Sequence, residues 1–119
     1  MLRRRATLIV KMKEGILIGK HIFNWKFALL GGGVKFGESY LDAMERELKE
    51  ETNLECEKIK YLFELKYGLH KHKVFLVEGK GEMKFNWEIR EHMFVNKNNY
   101  GKIKLREFTR RILERYFTL

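Results

Sequence analysis

The chain has no proline and only one cysteine, Cys56, among 119 residues. Proline usually makes up about 5% of a protein. Its absence, beside many Lys and Glu residues, points to an unusual genomic composition. A single cysteine cannot form an intramolecular disulfide, which favours a cytosolic location. No apolar run approaches the roughly 20 residues that a membrane span needs. The N-terminal Met1-Leu2-Arg3-Arg4-Arg5 is basic, but the apolar stretch after it is short and broken by Lys11 and Lys13, so neither a signal peptide nor a membrane partner is expected. No internal repeat is visible. What remains is a globular composition, 45% hydrophobic and 13% aromatic. At this length one domain, residues 1–119, with a single core is expected, as a monomer or homodimer.

Acidic excess is also lacking. The formal net charge is +9, carried chiefly by Arg3-Arg4-Arg5, Lys71-His72-Lys73 and the stretch from Arg106 to Arg115. That balance suits an anionic substrate or an RNA partner, and equally a solvated basic surface. His70 and His72 share one face at strand spacing, the arrangement of a metal pair, but no third ligand lies near them. His21 and His92 carry no motif. Trp25, Phe27, Trp87 and Phe94 are expected in the core rather than as base-stacking residues.

Residues 32–54 read GGVKFGESYLDAMERELKEETNL. A glycine-rich loop runs into a segment without Pro or Gly from Ser39 to Thr52. Ser39 with Asp42 three residues on resembles a capping box, so a helix starts there. At about 100° per residue, Leu41, Met44 and Leu48 share one sector and should face a core. Glu47, Glu50 and Glu51 fall in the adjoining sector, where Ala43 leaves room. Arg46, one turn before Glu50, is placed to hold its carboxylate. Asp42, Glu45 and Lys49 occupy the solvated face. Carboxylates at i, i+3 and i+4 repel by roughly 0.2–0.5 kcal/mol per pair, and acidic residues late in a helix oppose its dipole. A hard cation with oxygen ligands turns both penalties into binding energy.

The spacing Gly32-x5-Glu38-x7-Arg46-Glu47-Leu48-x-Glu50-Glu51-x-Asn53-Leu54 resembles the signature box of the Nudix hydrolases, G-x5-E-x7-R-E-U-x-E-E-x-G-U with U aliphatic. It departs only at Asn53, where the family has Gly. That position follows the helix and calls for a left-handed backbone, which Asn adopts more readily than any residue but Gly. The flanks fit more loosely. Ala6 to Lys13, Ile16 to Gly19, Trp25 to Leu30, Cys56 to Tyr67, Lys73 to Glu78 and Met93 to Val95 read as strands, with turns at Glu14-Gly15 and around Gly68. Over Lys104 to Phe117, Leu105, Phe108, Ile112 and Tyr116 line one helical face. The resemblance implies an α/β fold: an α/β/α sandwich with a mixed sheet flanked by the box helix and a C-terminal helix.

The resemblance also implies chemistry, the metal-assisted hydrolysis of a diphosphate linkage in a nucleotide substrate. Glu50 and Glu51 would ligate Mg²⁺ or Mn²⁺, and the carbonyl of Gly31 would complete the set. Glu47 would be a further ligand or the base that deprotonates the attacking water. Arg46 and Glu38 would orient the cluster, while Gly31, Gly32, Gly33 and Gly37 let the backbone pass close to metal and phosphates. Some family members use a carboxylate from a loop after the box, for which Glu88 and Glu91 are the candidates. Members acting on ADP-ribose often carry a proline beyond the box and an extra N-terminal strand region. Lacking both, the chain leans toward a nucleoside triphosphate pyrophosphohydrolase. The alternatives are an ADP-ribose or nucleotide-sugar pyrophosphatase, an RNA 5′-end pyrophosphohydrolase, and a non-catalytic nucleotide-binding module.

Overall fold

The β1 strand, Arg3–Met12, alternates its side chains between two cores, and the fold is built outward from that alternation. Ala6, Leu8 and Val10 enter one cluster of buried residues, and Ile9 enters the other. A strand buried on both faces needs cover on both faces. The computed structural model, which describes residues 2–119, supplies it with two helices. The box helix α1, Tyr40–Thr52, covers one face with Ala43, Met44 and Leu48. The C-terminal helix α2, Glu107–Phe117, covers the other with Phe108, Ile112 and Leu113.

The other strands are β2 (Gly15–His21), β3 (Ala28–Gly33), β4 (Glu55–Tyr67), β5 (His70–Lys80) and β6 (Ile89–Val95). They form one six-stranded sheet in the order β4-β5-β1-β3-β2-β6. The β1–β5 pairing is parallel and the others antiparallel, so the sheet is mixed, as the resemblance implies. Outermost β4 carries two register shifts, at Cys56/Lys58 and Tyr61/Phe63. Gly68, at φ +59°, makes the β4–β5 turn.

Local chemistry sets the ends of α1. The Ser39 hydroxyl accepts from the Asp42 N–H at 3.0 Å. At the other end Asn53 takes φ 67°, ψ 1°, and its N–H donates to the Lys49 carbonyl. Asn53 therefore does the work of the missing glycine, and its Nδ2 also donates to the Glu82 carbonyl at 2.9 Å.

Several expectations need correction. β3 begins at Ala28, not Trp25, because residues 22–26 form turns and bends. Trp25 is 82% exposed and Trp87 76% exposed, since both sit on loops outside the two cores, whereas Phe27 is buried. Leu41 is 52% exposed; in the first turn of α1 it lies beyond the edge of the sheet-facing stripe. β6 starts four residues earlier than Met93, at Ile89. Leu105 precedes α2, forming an isolated bridge to Phe27, yet it joins Phe108 and Ile112 in the core.

His72 is buried, so the paired-histidine pattern has a structural use. Its Nδ1 shares a hydrogen bond with the Thr7 hydroxyl at 2.8 Å, and its ring stacks on Phe108 at 4.7 Å. Burial, then the charges of Arg5, His70 and Arg106, push its pKa down to about 4. The unfolded chain binds a proton there below the ordinary value of 6.5, and the folded chain does not until about 4. Stability is therefore lost as pH falls through that window. His72→Gln retains a partner for Thr7 and removes the titration. From pH 7 to pH 4 the wild-type melting temperature should fall more steeply than that of His72→Gln; parallel curves would contradict this account.

Candidate active site

Gly31 and Gly32, at the end of β3, make close approaches that a side chain would block, Gly31 to β1 and Gly32 to α1. Gly31 has φ +133°, and a Cβ there would collide with the Ala6 carbonyl oxygen. A Cβ on Gly32 would overlap the Glu47 carboxylate. The glycines thus let the helix carboxylates lie directly over the loop.

Arg46 binds this arrangement together. Its Nε and Nη2 donate to Glu38 at 2.7 and 2.9 Å, and Nη2 also donates to the Gly33 carbonyl at 3.0 Å. Its Nη1 donates to Glu47 at 2.8 Å and to Glu50 at 3.3 Å. The Glu50 contact anticipated from helical spacing is the longest of these. Glu38 also accepts the Lys35 N–H at 2.9 Å. The Arg46 hydrogen bond, then the Lys35 amide, hold its carboxyl at about 2. The same partners, Glu38 first, hold the Arg46 proton more firmly than usual. Gly37, at φ +78°, turns the loop so that Glu38 faces Arg46.

Glu47, Glu50 and Glu51 open onto one cavity of about 230 Å³, shared with His21, Gly31, Gly32, Asn86, Glu88 and Ile89. Glu51 is buried; its Oε1 accepts the Gly31 N–H at 2.8 Å. Its Oε2 lies 3.6 Å from His21 Nε2, and this neighbouring carboxylate raises the His21 pKa. Glu47's carboxyl is pushed up by burial first and then by the charge of Glu51. Crowded carboxylates of this kind accept a divalent cation readily, since hard cations take oxygen donors. The donor chemistry fits Mg²⁺ or Mn²⁺, although among the described residues no three side chains already form a closed ligand set. Gly31's expected contribution differs in detail. Its N–H is committed to Glu51, and its carbonyl accepts from Arg5 Nη2 at a long 3.3 Å.

Of the two loop candidates, Glu88 lines the cavity. Glu91 does not; it pairs across to Lys20 on β2, 3.6 Å away. Two residues with no sequence signal join the site. His21 ends β2, and its pairing with Ile89 places it beside Glu51. Arg5, one of three consecutive arginines, differs from exposed Arg3 and Arg4 in turning inward. The loop before β6 is fastened to α1 by the Lys84 N–H to Thr52 carbonyl bond at 2.9 Å and the Asn86 N–H to Glu51 carbonyl bond at 3.1 Å.

The NUDIX domain profile matches residues 1–116. The chain belongs to the Nudix family. Hydrolases of that family act on pyrophosphate bonds and generally need divalent metal ions. Its fold is similar to that of a Nudix hydrolase family member from Chromobacterium violaceum, with TM-score 0.87, 34% identity, and coverage of 98% of this chain and 77% of that one. It is similar as well to MutT studied from Aliivibrio salmonicida and Vibrio cholerae, with TM-score 0.84, 17% identity, and coverage of 99% and 98%; at that identity the likeness concerns the fold alone. A curated relative named RNA pyrophosphohydrolase, from Ruthia magnifica subsp. Calyptogena magnifica, is 42% identical over 57 residues, 48% of this chain. The chain spans about a third of that protein's length, 32%.

Gly32→Ala should displace Glu47 without unfolding the sheet, because the clash is with the end of a side chain. Gly33→Ala meets nothing nearer than the Arg4 carbonyl oxygen at 4.0 Å. The rise in melting temperature on adding Mn²⁺ should shrink in Gly32→Ala and persist in Gly33→Ala. Equal rises in the two variants would show that the position of Glu47 does not shape the cation site.

Proposed function

We propose that the protein is a nucleoside triphosphate pyrophosphohydrolase. The observation that carries this reading is the opening of Glu47, Glu50 and Glu51 onto one cavity above a glycine loop. Glu50 and Glu51 hold Mg²⁺ or Mn²⁺, and a bound cation supplies Lewis-acid polarisation of phosphoryl oxygens and screening of their charge. Glu47 is the base. Arg46 fixes one of its oxygens at 2.8 Å, which leaves the other to take the proton of the attacking water. Water attacks a phosphorus of the anhydride and gives its proton to Glu47. The bond from that phosphorus to the bridging oxygen breaks, and the electron pair leaves with the oxygen. The products are a nucleoside monophosphate and pyrophosphate. His21 steadies Glu51 from the far side, and Glu88 is available as a further oxygen donor at the cavity wall.

Replacing Glu50 or Glu51 with Gln removes charge with little change of shape. The expected loss in kcat is on the order of 10²–10³, the scale for removing one preorganised charge-stabilising group. Glu45→Gln, on the solvated side of the same helix, should stay within a factor of a few. Release of nucleoside monophosphate from a panel of nucleotides, nucleotide sugars and dinucleotides with Mn²⁺ decides the matter. The reading fails if the Glu50 and Glu51 variants match the Glu45 variant, or if wild type binds nucleotides and hydrolyses none.

A second reading, hydrolysis of the 5′-triphosphate end of RNA, is favoured by exposed aromatics beside the site. Phe23 and Trp25 lie on the β2–β3 loop and Trp87 on the β5–β6 loop, all more than three-quarters exposed. The Ile22 N–H to Glu88 carbonyl bond, 2.9 Å, joins the two loops, and the Arg90 guanidinium lies 5.7 Å from the Trp25 ring. Exposed rings with cations beside them stack bases of any sequence. The name of the partial relative supports the same reading. Binding of a single-stranded 5′-triphosphate oligonucleotide should weaken steeply with salt and drop in Trp25→Ala. A flat salt response and an unaffected variant would leave free nucleotides as the substrate.

A further inference from the structure

A second cavity, of about 220 Å³, adjoins the carboxylate cavity and has the opposite character. It is lined by Arg5, His21, Asn24, Lys26 and Arg106, with no carboxylate in its wall. His21 and Gly31 line both cavities, so the two share a partition. We propose that this second cavity is an anion subsite that seats a phosphoryl group adjoining the scissile anhydride, with Arg5 and Arg106 as its positioning donors.

The way the cations are held supports this. Arg5 lines the cavity with its guanidinium under-paired: Nε is enclosed and makes no hydrogen bond, and Nη2 makes one long bond of 3.3 Å to the Gly31 carbonyl, leaving donors for a ligand. Arg5 and Arg106 both sit against the Phe108 ring, with guanidinium carbons 5.4 and 5.2 Å from its centroid. An aromatic ring, not a carboxylate, therefore gathers these two like charges. Among the described residues neither forms an ion pair. The opposing charges that act on Arg5 are Glu51 and Glu47, across the shared partition. With no carboxylate of their own, these guanidiniums suit a phosphate dianion, whose several acceptor oxygens match their donor forks. A phosphate chain laid across the partition meets a cation-binding site on one side and guanidinium forks on the other.

The assignment rests on the proposed hydrolysis of a nucleoside triphosphate, but its first test does not require turnover. In chelator-treated protein, millimolar pyrophosphate should raise the melting temperature of wild type. The rise should be largely lost in Arg106→Met and in Arg5→Lys, which keeps charge but not the fork. Lys97→Met, on the loop after β6, is the control and should retain it. With Mn²⁺ and the preferred nucleotide, Arg106→Met should raise KM on the order of tenfold or more, the scale for a hydrogen bond to a charged group, with kcat changed by no more than a few-fold. Pyrophosphate stabilisation that is equal in wild type and Arg106→Met, or absent from wild type, together with an unchanged KM, overturns the subsite. If pyrophosphate binding depends on Arg106 while wild type hydrolyses no nucleotide, the subsite stands and the proposed reaction falls.

Discussion

The Arg46 guanidinium has acceptors on every side: Glu38 twice, Glu47, Glu50 and the Gly33 carbonyl, all within 3.3 Å. Each bond is charge-assisted or shared with a neighbour, so the group acts as a hub for structure that would otherwise repel itself. It ties α1 to the loop preceding it and to the end of β3, and it fixes the distance between Glu47 and the glycines. The side chain remains 20% exposed, so the network is not a buried ion pair with a full desolvation penalty. Without this hub, three acidic side chains on one helical sector would spread toward solvent and the cavity between helix and loop would lose its shape.

The site's acidic half was legible in the sequence because it is local. A helix cap, a left-handed exit and carboxylates at fixed offsets are all determined within a few turns of chain, so Ser39, Asn53, Glu47 and Glu51 occupy the places their spacing implies. The architecture was legible for a related reason, since alternation in β1 and the 3.6-residue stripes of α1 and α2 each declare a buried face. What was not legible depends on long-range pairing. His21 reaches Glu51 only because β2 pairs with β6. Arg5 cannot be distinguished from Arg3 and Arg4 without knowing that Gly31 and Phe108 lie across from it. Trp25 and Trp87 were misplaced because large aromatic rings usually seek a core, and nothing in their neighbourhoods says that both belong to loops.

Charge is sorted across the molecule. The chain is strongly basic overall, yet Glu38, Glu47, Glu50 and Glu51 come together where α1 meets β3, and Arg5 and Arg106 line the adjoining cavity. Gly31 stands at the boundary, giving its N–H to Glu51 and its carbonyl to Arg5. Two successive peptide units thus turn opposite ways, the Leu30–Gly31 unit giving its donor to the acidic side and the Gly31–Gly32 unit its acceptor to the basic side. Fields of opposite sign at short range draw a phosphate chain with bound cation into a single orientation, which limits the wrong ways a flexible polyanion can enter.

The outer edge of the sheet has a different consequence. β4 is thirteen residues long, and an unpaired edge of that length offers a template on which another chain could add a strand. Its sequence carries Glu55, Glu57, Lys58 and Lys60 at exposed positions, and two register shifts break its regularity. Bulges twist an edge away from flat pairing, and charges resist the close approach of a second strand. The same strand can therefore stay extended and solvent-facing while discouraging a second strand from adding to it.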